Sequence, residues 1–498
     1  MNNIDAKKIK SFLVRNNVTL LFAVLVSIML WITTFSPALI LEEIVMRMGR
    51  SMLLVLALLF PIIAGIGLNF GIVIGAIAAQ MGMFFVVYHE LGDLLNSEWS
   101  GLLGFFIAFL IATPLAILFG YLIGKMFNSM KGTEMIGGLV GGFFSDGLYQ
   151  FLFLFVIGGL IPFAPHPLII PTGVGVVIQV NLRGNLGMVL DQTVHMNMLL
   201  DIVFYAAIAI AIALLIYRVI KKRDLGLPKM LKIMIPLAVI WGLSFIPAVN
   251  TFLSEPRLRM LYAVQYGAIL AVLLTLWKIV KGAIFEKKVN VTMRRVAVIV
   301  ISIILFALTF VEAVSGPLTR VQLPVLTLTL TVLICLFIRW FLNTKLGQDM
   351  RTVGQDKAVA TSSGINVNRV RIIATVMSTT LAAWGQMIFL QNMGTMAMFG
   401  AHPSVGLYSI AALLVGGASV QTARIKHAIL GMFLFHTLLF LAPNVGAELT
   451  GNSMYGEYFR LFATNGVVAV ALVMHALSRR KGATLGQPLS APKEAKAK

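Results

Sequence analysis

Residues 325–372 read VLTLTLTVLICLFIRWFLNTKLGQDMRTVGQDKAVATSSGINVNRVRI. The first part, Val325 to Leu342, is apolar apart from its threonines and Arg339. From Asn343 the chain turns polar and basic, punctuated by Gly347, Gly354 and Gly364, and a second apolar run opens after Arg371. About 20 apolar residues in a helix cross a hydrocarbon core of ~30 Å. Strands of a transmembrane barrel would instead alternate polar and apolar residues. The polar segment therefore reads as a loop joining two membrane helices. The sole cysteine, Cys335, lies inside the first run and excludes an internal disulfide. It reads as a small apolar packing residue.

The same pattern covers the chain. Of its 498 residues 59% are hydrophobic and only 12% charged; a soluble protein carries about twice that charge fraction. The fold class is an all-α polytopic membrane protein. Fourteen spans are expected, over 18–35, 51–68, 70–88, 102–124, 136–162, 198–217, 232–250, 260–280, 294–313, 322–341, 370–391, 405–421, 428–442 and 460–478. The opening run TLLFAVLVSIMLWITTF, Thr19 to Phe35, is long for a signal-peptide core and no small-residue cleavage site follows it.

The formal charge is +20. In a soluble protein this would suggest nucleic acid; in a membrane protein it is the orientation signal of cytoplasmic loops, and no nucleic-acid partner is expected. With the N-terminus inside and spans alternating, only Arg47, Arg50, Arg183, Arg257, Arg259, Arg320 and Arg460 of the 39 Lys and Arg fall outside. A miscounted span would invert every later loop. Both termini are therefore expected in the cytoplasm, with the tail RRKGATLGQPLSAPKEAKAK, 479–498, as a disordered basic end near anionic lipid.

No catalytic constellation, metal-ligand spacing or cofactor motif stands out. GYLIGKM, Gly120 to Met126, has its glycines too close together for a phosphate loop, and Met126 stands where Ser or Thr would bind magnesium. If ATP drives this chain, a partner subunit supplies the hydrolysis. Four acids fall in or near spans. Glu134, Asp201 and Glu312 lie near the surfaces, where water or a nearby base accounts for them. Asp146, in GGLVGGFFSDGLYQF, is mid-span beside glycines and is a candidate for lining a polar path. AGIGLNFGIVIGAIAAQMG sets Gly71 and Gly75 beyond Asn69. Two readings stay open there: close helix packing through small residues, or a broken helix whose backbone lines a cavity. LLVGGAS, with Gly416, Gly417 and Ser419, has the same character.

The loop resembles, without gaps, the cytoplasmic loop of permease subunits in bacterial ABC importers of the ribose, branched-chain amino acid and nucleoside type. The matching residues are Gly347, Arg351, Val353, Gly354, Ala360, Ser363, Gly364, Ile365, Asn366 and Val367. IAALLVGGASV, GLNFGIVIGAIAAQMG and KGTEMIGG resemble further segments of that family. The resemblance implies a multi-pass subunit of the bacterial inner membrane. Its partners would be ATP-binding cassette ATPase subunits, a second permease of the same or homologous sequence, and an extracytoplasmic solute-binding protein.

In such permeases this loop carries a short coupling helix that docks on the ATPase. Here DKAVATSSG suits one, with Asp356 as N-cap and Gly364 as left-handed C-cap. The expected coupling residues are Asp356, Lys357, Ala360, Ser363, Gly364 and Ile365. The expected path residues are Asn69, Gly71, Gly75, Asp146, Gly416, Gly417 and Ser419. The solute reads as small, polar and neutral, a nucleoside or a sugar, with branched-chain amino acids still open. An ion-coupled secondary transporter with Asp146 as its ion site is the competing reading.

Departures from the family pattern matter too. Lys357 and Ala358 stand where acids are usual, and QTARIKH, Gln421 to His427, replaces a Gly-rich turn. Residues 165–320 lack a counterpart in the usual ten-span member. The expected organisation is a cytoplasmic segment 1–17, a permease core over 18–164 and 321–478 with its coupling loop at 343–370, about four inserted helices in 165–320, and the tail 479–498. LLIYRVIKKRDLG, ending at Gly226, echoes CLFIRWFLNTKLG, ending at Gly347, as duplication remnant or convergent helix end.

Overall fold

A computed structural model describes residues 17–92, 99–130, 132–157, 159–161, 166–170, 175–183, 186–221, 227–255, 257–285, 292–466 and 469. Segment 1–16, the tail 479–498, the basic loop residues 222–226 and 286–291, and most of the last expected span lie outside the described residues.

The chain is helical almost throughout. In order, the first half contains α1 (Asn17–Ile32), α2 (Pro37–Ala57), α3 (Leu59–Ile63), α4 (Ile72–Tyr88), α5 (Ser100–Ser129) and α6 (Glu134–Phe151), the last continuing as a π-turn over Leu152–Val156. Strand β1 (Gln179–Asn181) and the one-turn α7 (Val189–Gln192) follow. The middle holds α8 (Met196–Ile220), α9 (Leu227–Leu243), α10 (Pro247–Leu253), β2 (Arg257–Arg259), α11 (Met260–Phe285), α12 (Met293–Leu308), α13 (Glu312–Arg320) and β3 (Gln322–Pro324). Then come α14 (Val325–Phe341), α15 (Lys345–Gln355), α16 (Lys357–Ser362), α17 (Val367–Met393), β4 (Thr395–Ala397), α18 (Ala401–Val415) and α19 (Ile425–Thr450). A further helix, α20, covers 453–466.

Among the described residues, seven helices are long and apolar enough to cross a membrane, or nine if the bent pairs α12–α13 and α14–α15 each count as one. The molecule is thus a polytopic α-helical membrane protein.

Helix α17 is its axis. Asn366 starts it by accepting the Arg369 N–H, and Gly394 ends it in the left-handed region. Its sides carry small and hydroxylated residues, including Ala374, Ser378, Ala382 and Gly385, all buried. Helices α2, α4 and α5 close on it from three sides. Small residues permit that approach where apolar contact alone gives no preference for protein over lipid. One apolar cluster joins α1–α3 to α15–α19, and a second joins α4–α6 to Leu168, Val176, Val180, Leu182 and Leu186 and to residues within 383–398.

The first and last thirds therefore share one core. The expected inserted region divides. Leu168, Val176, Val180, Leu182 and Leu186 pack into the second cluster, and β1 pairs antiparallel with β4, Gln179 opposite Ala397. Helix α8, by contrast, buries none of its residues. That helix, which begins at Met196, packs no residue into either cluster.

Candidate functional site

The end of the bundle that carries α15 and α16 gathers most of the residues singled out above. Helix α16 is short and exposed except for Ala360, which is fully buried. Asp356 Oδ1 accepts the backbone N–H groups of Ala358 at 2.7 Å and Val359 at 3.2 Å. At the other end the Ile365 N–H donates to the Ala360 carbonyl and the Gly364 N–H to that of Thr361, each at 3.0 Å. Gly364 has φ +76°. A six-residue helix is not stable on propensity alone, so these local hydrogen bonds are what define it.

Two anchors hold this loop to the bundle. The first is ionic. Lys357 Nζ lies 3.2 Å from Glu134 Oε1 at the start of α6, and Arg371 Nη2 of α17 lies 2.6 Å from the same oxygen. Glu134 and Arg371 are buried, with side chains 4% and 3% exposed, whereas Lys357 is 46% exposed. The Arg371 guanidinium also reaches the Phe127 carbonyl at 3.4 Å.

The second anchor is steric. A side chain at Gly354 would strike the Ile63 carbonyl, and a Cβ on Gly65 would lie 2.9 Å from Gly354 Cα. Backbone thus meets backbone between α15 and the break that follows α3, and φ is +70° at Gly65. Only glycine fits both demands there.

That break, Ala64 to Gly71, holds Asn69. Its Oδ1 accepts the Gly71 N–H at 2.9 Å, and its Nδ2 donates to Ser378 Oγ at 3.3 Å. Asn69 is wholly buried. Gly75 is pressed against the Thr379 carbonyl and Ala382 of α17. The stretch shows both a break and close packing: Asn69, Gly71 and Gly75 are buried within the subunit. Gly416 is likewise pressed on the His427 carbonyl, between α18 and α19. Gly417 (φ +89°) begins the turn that follows, and Ser419 closes it by accepting the Gln421 and Thr422 N–H groups. Val420 of that turn touches Gly67, so the two Gly-rich breaks meet.

Asp146 lies further along α6. Its Oδ1 is 2.6 Å from Nε2 of His402 on α18, and Gln150 Nε2 donates to its Oδ2 at 3.2 Å. The Tyr149 ring stands edge-on to His402 with centroids 5.0 Å apart. His402 is fully buried, while the Asp146 side chain remains 22% exposed.

Residues 187–475 match the family model described as branched-chain amino acid transport system, permease component. This chain belongs to that permease family. The permease is also 32% identical over 152 residues to the probable ABC transporter permease protein YphD of Escherichia coli (strain K12), a match covering 30% of this chain and 43% of that protein. The alignment thus spans less than half of the curated relative. No solved structure matches. The family match agrees with the resemblance that the loop carries.

Three features of the permease were not legible in its sequence. His402 was one of seven scattered histidines, and nothing local pairs it with Asp146. Glu134 read as a near-surface acid that water or a nearby base accounts for; the bases are Lys357 and Arg371, and what its sequence did not show is its burial between them. Asp191 passed unnoticed. It is fully buried at the opposite end of α17, where Asn392 Nδ2 donates to it at 2.7 Å and Gln391 Nε2 and Thr327 Oγ1 at 3.3 Å.

Proposed function

We propose that this permease is the membrane subunit of an ATP-binding cassette importer. It passes a small polar solute, a nucleoside or a sugar, from an extracytoplasmic binding protein to the cytoplasm, driven by partner ATPase subunits. The observation that carries this reading is α16 itself. It is capped at both ends, exposed at one tip of the bundle, and tied through Lys357 to a buried acid at the foot of α6.

A short helix with little burial of its own is suited to completion by a partner. A displacement of α16 acts on Glu134 and hence on α6. That helix carries Asp146 twelve residues on, about 18 Å along its axis at 1.5 Å per residue. The same helix exposes Ile136, Val140, Phe143, Phe144 and Leu148. A second permease copy covering that face would bring Asp146 toward the dimer axis, where carboxylate and hydroxyl-bearing solute can exchange hydrogen bonds.

We take the orientation from the charge distribution, with both termini in the cytoplasm of a bacterial inner membrane. Fourteen spans are the reading we favour. The seven long helices, the two bent pairs and the three shorter apolar helices leave α9 and α20 to complete that number. We assign α8–α13, from about residue 195, to the inserted unit, and residues 166–194 to the core.

The test is reconstitution with candidate ATPase and binding-protein partners. ATP-dependent uptake of a labelled nucleoside or sugar is the expected outcome. The Asp146–His402 pair favours one rival, proton-coupled transport. Uptake that follows a proton gradient without ATP, with no ATPase co-purifying, would establish the rival and overturn our reading.

A further inference from the structure

We infer that a groove between α5 and α17 is a binding site for an anionic phospholipid of the cytoplasmic leaflet. The leaflet assignment rests on the orientation proposed above; the groove itself does not.

The groove exists because two helix backbones touch. A Cβ on Gly124 would lie 3.0 Å from Ile372 Cα, and one on Gly120 would strike the Thr379 hydroxyl. Thr379 Oγ1 donates to the Ala116 carbonyl at 3.1 Å, and Asn128 Nδ2 to the Asn368 carbonyl at 2.9 Å. The seam is pinned at both ends. Side chains flanking it stand apart and leave a laterally open groove of about 880 Å³.

Its walls change character along their length. Pro114, Ile117 and Leu118 of α5 face Ile372, Ile373 and Val376 of α17, and this part is apolar. The end nearest α16 is lined by Tyr121, Asn366, Asn368 and Arg369. From Asn366 to Val376 the groove follows α17 for about 15 Å at 1.5 Å per residue. Its apolar part, Ile372 to Val376, covers about 6 Å of that and lies within one leaflet of a ~30 Å hydrocarbon core. An acyl chain fits the apolar part while the headgroup reaches the polar end.

Charge selects the headgroup. Arg369 is exposed at the polar end, and Lys125 Nζ lies 4.7 Å from the centroid of the Tyr121 ring that lines it. Among the described residues neither cation takes part in an ion pair, although the neighbouring Arg371 does. Two cations at the mouth of an apolar groove favour phosphatidylglycerol or cardiolipin over a zwitterionic lipid, by roughly fivefold for each charge near the surface. Asn366, which caps α17, also lines this mouth, two residues beyond Gly364. The bound headgroup therefore sits beside the end of the coupling helix.

The experiment uses the full chain with Cys335→Ser and one new cysteine for a fluorophore, at Leu118 in the groove or at Ile210 on α8 as control. The labelled protein is reconstituted in phosphatidylcholine vesicles, and quenching by brominated phosphatidylglycerol is compared with quenching by brominated phosphatidylcholine. Several-fold stronger quenching by phosphatidylglycerol at Leu118→Cys but not at Ile210→Cys is expected. The exposed double substitution Lys125→Gln/Arg369→Gln should abolish the difference. Equal quenching by the two lipids, or a preference that survives the double substitution, would overturn the proposal. So would a groove label that neither lipid quenches in the assembled complex, because the groove would then belong to a protein partner.

Discussion

Lys357 and Glu134 are 223 residues apart in the chain, and Lys357 Nζ lies 3.2 Å from Glu134 Oε1. The contact spans the polar loop and the first turn of α6. The lysine, which stands where the resemblance implies an acid, has its acidic partner inside the subunit.

Lys357→Gln should separate stability from coupling. The pair is half exposed on the lysine side, so its loss costs at most about 1 kcal/mol. The protein should insert and melt nearly as before, while ATP-driven uptake falls several-fold and Lys357→Arg retains it. Uptake unchanged in Lys357→Gln would remove the ionic link from the coupling route.

Arg371→Leu should do the opposite. It strands the buried Glu134 with only the half-exposed lysine, and uncompensated buried charge costs about 3–5 kcal/mol. Thermal unfolding in detergent should show a large loss of stability. Adding Glu134→Gln should restore part of it, because the orphaned charge is gone.

Gly364 tests the cap. A Cβ there would meet nothing within 4 Å, so any cost comes from φ +76° alone. Asn tolerates that region far better than a β-branched residue. Gly364→Asn should assemble with the ATPase much as the parent does. Gly364→Val should lose about 1–2 kcal/mol of local stability and bind the ATPase more weakly in a pull-down.

Asp146→Asn keeps the shape and hydrogen-bonding capacity of the side chain and removes its charge. If the pair orients solute, uptake should drop without loss of ATPase assembly, and His402→Gln should match it. Unaltered uptake in both variants would mean that the pair only braces α6 against α18.

The sequence by itself determined the membrane class, a short helix capped by Asp356 and Gly364, and the place of the Gly-rich stretches around Asn69 and Gly417, with packing and a break both open there. Each is a local property. Hydropathy is a sum over one run, an N-cap reaches two or three residues, and a glycine marks its own φ. Only the tertiary structure decided which faces meet. It buried Asn69 and Gly75 against α17, packed Leu168, Val176, Val180, Leu182 and Leu186 into the second apolar cluster, set His402 on Asp146 from 256 residues away, and chose Lys357 and Arg371 as the bases around a buried Glu134. The physical reason is that a span's apolar surface suits lipid and protein alike. Small residues, buried hydrogen bonds and ion pairs choose its neighbours, and their partners are not adjacent in the chain.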